Sequence, residues 1–134
     1  MTTLLVTHSA CSAHDMGEGH PERPERMRAV HRALEHETFQ SLLRDNAPLA
    51  AVEALTRAHP AEYVAAIERA APSRGRVQLD SDTAMSPGTW DALLRAAGGA
   101  VFAVDEVAAK RVDNAFVAAR PPGHHAERAT PMGF

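Results

Sequence analysis

The sequence predicts an α/β protein in which helices flank a parallel sheet, and three observations carry that prediction. A short apolar run, Leu4-Leu5-Val6, stands near the start. Helical periodicity extends from about Gly88 to Arg111. A second apolar run, Ala115-Phe116-Val117-Ala118-Ala119, follows and is too short for a helix. Strand, long helix, strand is the pattern of a βαβ crossover, which lays two parallel strands in one sheet.

Taken in order, Thr3 to Thr7 reads as a buried first strand. His8 to Pro24 is polar and rich in Gly, His, Glu and Pro, which predicts a long loop. Pro24 suits the first turn of a helix, and Met27, Val30, Ala33 and Leu34 recur at helical spacing as its inner stripe. Phe39 to Arg44 reads as a second helical piece with Leu42 and Leu43 inward. Ala51 to Ala71 gives two short helices divided at His59-Pro60, since proline ends one helix and opens the next. Tyr63, Val64 and Ile67 form the buried stripe of the second. Arg76 to Leu79 is a short strand or extended link, and Asp80 to Pro87 a loop. Ser86 is the expected N-cap and Pro87 the first residue of the long helix. Trp90, Leu94, Ala97, Val101, Val104 and Ala108 form its expected inward face. Gly98-Gly99-Ala100 weakens helix propensity in the middle, which points to close approach of a neighbouring element. Asp113-Asn114 turns the chain into a second strand expected to be fully buried.

Bulk properties exclude several classes. The 134 residues suit one domain, with 45% hydrophobic and 23% charged residues, as in ordinary globular proteins. A net charge of −3 gives no electrostatic reason to expect nucleic acid or an anionic membrane as partner. Cys11 is the single cysteine, so neither an internal disulfide nor a cysteine zinc cluster forms. The N-terminus lacks a basic region and a long apolar stretch, and no run is long enough to span a bilayer. The expected location is cytoplasmic.

The densest chemistry lies in the C-terminal loop, Arg120-Pro-Pro-Gly-His-His-Ala-Glu-Arg-Ala-Thr-Pro-Met-Gly-Phe134. It leaves the carboxyl end of a strand, where open parallel sheets place their ligand crevices. The prolines stiffen it and Gly123 permits an unusual turn. Adjacent side chains on an extended segment diverge, so a loop is needed to turn His124 and His125 toward one cavity. Two imidazoles there can share general-base and general-acid work. The remaining histidines, His8, His14, His31, His36 and His59, read as structural or solvated, and Cys11 as inert. Glu127 and Arg128 read as a surface pair.

Arg-Pro-Pro-Gly-His-His-Ala with a following Met-Gly-Phe resembles the hallmark loop of the histone deacetylase superfamily, in particular its bacterial amidohydrolase-like members. Three further segments agree in order: Gly19-His-Pro-Glu-Arg-Pro-Glu-Arg26, Thr56-Arg-Ala-His-Pro-Ala-Glu-Tyr-Val64, and Leu79-Asp-Ser-Asp-Thr-Ala-Met-Ser-Pro-Gly88 with its long double-glycine helix. The resemblance implies the three-layer arginase/deacetylase-like fold. It implies that His124 and His125 handle protons while zinc-bound water attacks an acetamide. Gly133 and Phe134 would line the channel for the acyl-lysine stem, and Asp82, with Asp80 as the competing choice, would be the rim aspartate. Arg26 would sit near the acetate-release cavity, with His20 and Pro21 shaping the first rim loop. Substrates so implied are acetylated lysine or an acetylated polyamine or small amine.

The family's metal ligands lie downstream of the Gly-Phe pair, so the resemblance covers residues 1–134 as the N-terminal portion of one deacetylase domain. No metal ligand is expected in this chain; zinc ligands are expected beyond Phe134. A sheet with two or three of its strands leaves an apolar edge, which predicts a marginal chain that associates with itself or a partner. Two other readings compete with a deacetylase whose fragment is inactive alone. One is a catalytically dead truncated product acting as a binding or assembly module, and the weaker is an arginase-like amide or ureide hydrolase.

Overall fold

The computed structural model describes all 134 residues, Met1–Phe134. In chain order the elements are β1 (Thr3–Thr7), α1 (Pro24–Leu34), β2 (Leu43–Asn46), α2 (Val52–Thr56), α3 (Ala61–Ala70), β3 (Val77–Asp80), β4 (Thr83–Met85), α4 (Thr89–Ala108) and β5 (Asn114–Ala118). Three strands make a parallel sheet of order β2-β1-β5, with Leu5 opposite Arg44 on one side and Phe116 on the other.

β1 is central, which explains its continuous apolar run: both faces of a central parallel strand are covered. Leu5 packs with Cys11, Met27 and Ala118 on the α1 face. Leu4 and Val6 pack with Ala47, Ala103 and Val112 on the α4 face. Each of the buried Leu, Val and Met side chains contributes roughly 1.5–3 kcal/mol. The result is helix, sheet, helix in three layers, the architecture expected. No helix is long and apolar enough to cross a membrane.

Several elements depart from the sequence reading. The piece expected as a helix at Phe39 to Arg44 is a short 3-10 turn at Glu37–Phe39 followed by strand β2. All four β2 residues are exposed, so pairing through the backbone alone leaves no periodicity to read. Leu43 points out, and the Arg44 guanidinium donates to the carbonyls of Leu34, the last residue of α1, and of Phe39 beyond it. On α1 itself Met27, His31 and Leu34 face inward, while Val30 and Ala33 are exposed. Asp80 to Pro87 is not all loop: β3 and β4 form an antiparallel hairpin with an irregularity between Gln78 and Asp80.

Ser86 does not cap α4. Ser86-Pro87-Gly88-Thr89 is a turn with Gly88 at φ 88° and ψ −9°, the left-handed third position that a type II turn requires. The Thr89 N–H donates to the Ser86 carbonyl at 3.0 Å, and the Ser86 N–H donates to the Thr89 hydroxyl at 2.8 Å. The helix therefore starts at Thr89 and ends at Ala108, three residues short of Arg111.

The inward face of α4 is also different. Ala92, Gly98, Gly99 and Ala103 are buried, whereas Val101 and Val104 are exposed, Val104 by 67%. Close approach selects small side chains here. A Cβ on Gly99 would lie 3.0 Å from Ala47 Cβ and 3.3 Å from Val6 Cγ1. One on Gly98 would strike the Pro48 carbonyl and sit 2.6 Å from the Ala50 nitrogen. The Ala50 N–H donates to the Leu94 carbonyl and Arg95 Nη1 to the Ala47 carbonyl, so the segment after β2 is stitched to the helix where the glycines make room. β5 is likewise less covered than expected, with Phe116 51% exposed on an open edge.

Candidate functional site

Parallel strands end at a common edge, so the segments leaving β1 and β5 emerge side by side. The sheet order also reverses between these strands: β1 leads to β2 through α1 on one face, while the route to β5 covers the other face with α4. That switch point is where open α/β sheets form a ligand crevice. The loop after β1 carries His14, His20 and Glu22, and the loop after β5 carries Arg120 to Phe134.

The C-terminal loop is folded back on itself. The Gly123 N–H donates to the Gly133 carbonyl at 3.1 Å. Gly133 adopts φ 91°, and a Cβ there would lie 2.8 Å from the His125 nitrogen and 3.0 Å from the His124 nitrogen. Only glycine lets the chain pass so close under the histidine backbone. Gly133 is accordingly buried beneath the pair rather than open to a channel. Above it the His124 and His125 rings lie side by side, centroids 4.1 Å apart at 50°, and both residues are exposed. The loop thus brings the two rings together, as the alternation argument requires.

Phe134 is the junction of the site. Its ring lies 5.8 Å from that of His124 and meets the His20 ring edge-on at 5.0 Å. His20 Nε2 in turn lies 3.2 Å from Asp82 Oδ1. Asp82 is on the tip of the β3–β4 hairpin with its side chain 63% exposed. Asp80, the competing aspartate, instead accepts the Asp82 N–H at 2.7 Å and serves the turn. The structure therefore gathers His20, Asp82, His124, His125 and Phe134 around one opening.

Beneath this opening is a buried polar cluster that the sequence did not reveal. Arg120 donates through Nε to Glu22 Oε1 at 2.8 Å, through Nη2 to Glu22 Oε2 at 2.6 Å, and through Nη1 to the Cys11 carbonyl at 2.9 Å. Both side chains are almost wholly buried. Burial pushes the Glu22 carboxyl up, but the hydrogen bonds and charge of Arg120 outweigh it and hold the group below the ordinary carboxylate range. Removing one member of such a buried pair costs about 3–5 kcal/mol. His14, fully buried, places Nδ1 3.0 Å from the Thr89 hydroxyl and Nε2 3.7 Å from Glu22 Oε2, the latter without a hydrogen-bond partner. Burial, then the Arg120 charge, lowers its pKa to about 4. Glu22 and Arg120 are 98 positions apart with no spacing motif between them, so only the fold could join them.

Arg26 lies on the open side of this cluster, Nη1 3.4 Å from Glu22 Oε1, with its side chain 61% exposed. Arg26 lines neither of the two principal cavities. Cys11 is buried, consistent with an inert thiol. His8 and His36 accept backbone N–H groups at the starts of the 3-10 turns Ser9–Ser12 and Glu37–Phe39, and His59 contacts the Arg128 carbonyl. No group of three or more His, Cys, Asp or Glu side chains converges to hold a metal, and His124 and His125 have no third partner. Behind the loop an apolar cleft of about 350 Å³ runs between α3, α4 and Pro121 to Gly123, with Phe134 in its wall. It contains neither ring of the histidine pair.

Comparison with known proteins identifies the family and the fold. The histone deacetylase domain family matches residues 20–134. A probable deacetylase from Archaeoglobus fulgidus is 36% identical over the whole chain, which spans 38% of that protein. A histone deacetylase-like amidohydrolase from Pseudomonas aeruginosa is 37% identical over 87% of the chain and 30% of its own length. The human polyamine deacetylase HDAC10 is 34% identical over the whole chain and 22% of its length. The crystal structure of the HDA15 HD domain superposes with a TM-score of 0.90 at 27% identity, covering 99% of this chain and 39% of that one. The chain thus spans less than two-fifths of the length of each.

Proposed function

The chain belongs to the histone deacetylase family, and from that premise we propose that it is the N-terminal portion of a zinc-dependent deacetylase acting on acetyl-lysine or an acetylated polyamine or small amine. The observation that carries the reading is the His124–His125 pair, rings 4.1 Å apart, set beside Phe134 at the carboxyl edge of β5.

Amide hydrolysis breaks the C–N bond after water adds to the carbonyl. One proton must leave the water and one must reach the departing amine nitrogen. Two adjacent imidazoles supply an acceptor and a donor for those transfers, a contribution of roughly 10²–10⁴ in rate. The Phe134 ring provides an apolar wall for the aliphatic stem of the substrate. The exposed Asp82 carboxylate at the rim accepts a hydrogen bond from a substrate backbone N–H, with His20 holding it at 3.2 Å. Arg26, at the open side of Glu22, is assigned to the path of the released acetate. Zinc is the metal the family implies. The residues of this chain do not fit it, because no three ligands converge, so its ligands would come from beyond Phe134. The single buried cysteine and net charge of −3 fit a cytoplasmic protein without nucleic-acid partners.

One observation favours a second reading, a non-catalytic assembly module: β5 presents an open edge with Phe116 exposed. Stoichiometric zinc bound by the 134-residue chain would sink that reading. The deacetylase reading is tested at Asp82. Asp82→Asn in the zinc-loaded full-length protein should raise KM for an acetyl-lysine peptide about tenfold, the loss of one charge-assisted hydrogen bond. It should leave KM for an acetylated polyamine, which has no peptide backbone, near the wild-type value. Equal effects on both substrates would remove Asp82 from the rim role.

A further inference from the structure

The structure assigns a further pair of positioning residues, Arg120 and Glu22: their ion pair locks the loop that carries His124 and His125 to the loop that carries His20. The histidine pair, Phe134 and the Asp82 rim then hold a single mutual arrangement. In its catalytic meaning this rests on the deacetylase reading; the coupling of the two loops does not.

Arg120 is the second residue after β5 and stands four positions before His124, with the stiff Pro121-Pro122 between them. Fixing its guanidinium therefore fixes the entry of the histidine loop, while the Gly123–Gly133 hydrogen bond closes the other end. Glu22 is two residues from His20, and the His20 ring accepts the Glu22 N–H at Nδ1 over 3.0 Å. That contact fixes the ring whose other nitrogen reaches Asp82 and which makes the T-shaped contact with Phe134. The start of that same segment is tied in through the Cys11 carbonyl, which accepts from Nη1. One guanidinium thus places three donors on the segment after β1, two on the Glu22 carboxylate and one on the Cys11 carbonyl, in the bidentate form that Arg provides and Lys does not. The arrangement is sealed from competition by water, since both side chains are nearly fully buried. His14, neutral at its low pKa, leaves Glu22 to Arg120.

The test is nuclear Overhauser spectroscopy on the 134-residue chain, comparing wild type with Arg120→Lys and Glu22→Gln. Arg120→Lys keeps the charge and loses the fork; Glu22→Gln keeps the shape and loses the charge. The reporters are ring-to-ring cross-peaks of His20 with Phe134 and of His124 with Phe134. The controls are the His59–Tyr63 contact and the Leu5–Phe116 pairing of β1 with β5. In any variant that keeps the controls, both reporter cross-peaks should be lost. Retention of the reporters in such a variant overturns the inference. Loss of the controls in both variants overturns it too, because the pair would then hold the fold and not the site. Absence of deacetylase activity would leave these readouts unchanged, so the two claims fail separately.

Discussion

At the scale of single residues, the site is built by two loops that leave the same edge of the parallel sheet. His124-His125, Gly133-Phe134 and Asp82 stand in short motifs, and the structure brings the pair, Phe134 and Asp82 to one opening. Glu22 and Arg120 stand in short motifs as well, but their pairing leaves no signal, because a buried ion pair between loops 98 positions apart is made only by the fold, and His14 stands outside those motifs. His14 yields a pH prediction. Its folded pKa of about 4 lies below the ordinary value of 6.5, so below pH 6.5 the unfolded chain binds the more protons. Stability from the neutral form is complete above about pH 6.5 and is lost as pH falls toward 4. Glu22, also depressed, acts in the same direction at lower pH. Urea unfolding should show wild type losing about 2–3 kcal/mol between pH 7 and pH 4.5 through His14. His14→Gln should be less stable at pH 7 but have a flatter pH dependence. An unchanged slope in the variant would contradict this account of His14.

At the scale of elements, periodicity identified β1, α1, α2, α3, α4 and β5 because each has an apolar pattern or a proline boundary. It missed β2 and β4, strands of four and three residues, while β3 falls where a short strand or extended link was expected. On α4 it selected the face with the larger side chains, and the packing chose the one with the smaller. The double glycine was the legible clue, since a helix forgoes propensity there only for close contact. Gly98→Ala separates the two effects. Propensity alone would stabilise the helix by about 1 kcal/mol. A Cβ that strikes the Pro48 carbonyl and crowds Ala50 should instead destabilise the chain by about 1–3 kcal/mol net, read as a lowered Tm. Gly99→Ala, whose nearest neighbour is the Ala47 methyl at 3.0 Å, should cost less. A raised Tm for Gly98→Ala would mean that the segment after β2 does not dock on α4 as described.

At the scale of the whole molecule, three parallel strands leave an incompletely covered sheet. β1 is closed on both sides, but the outer edge of β5 is unpaired and Phe116 and Val104 remain exposed. Exposed apolar strand edges recruit other chains. The 134-residue chain should therefore show concentration-dependent association in sedimentation velocity, and Phe116→Lys should reduce it while changing stability by no more than about 0.5 kcal/mol. A chain that stays monomeric at all concentrations would contradict the open-edge account. The central claim is that the histidine pair of this family member handles the protons of amide hydrolysis. Its most direct test is the hydrolysis rate of an acetyl-lysine peptide by the zinc-loaded full-length protein, wild type against His124→Ala and His125→Ala. A fall in kcat of roughly 10²–10⁴ for at least one variant is the predicted result; full activity in both would contradict it.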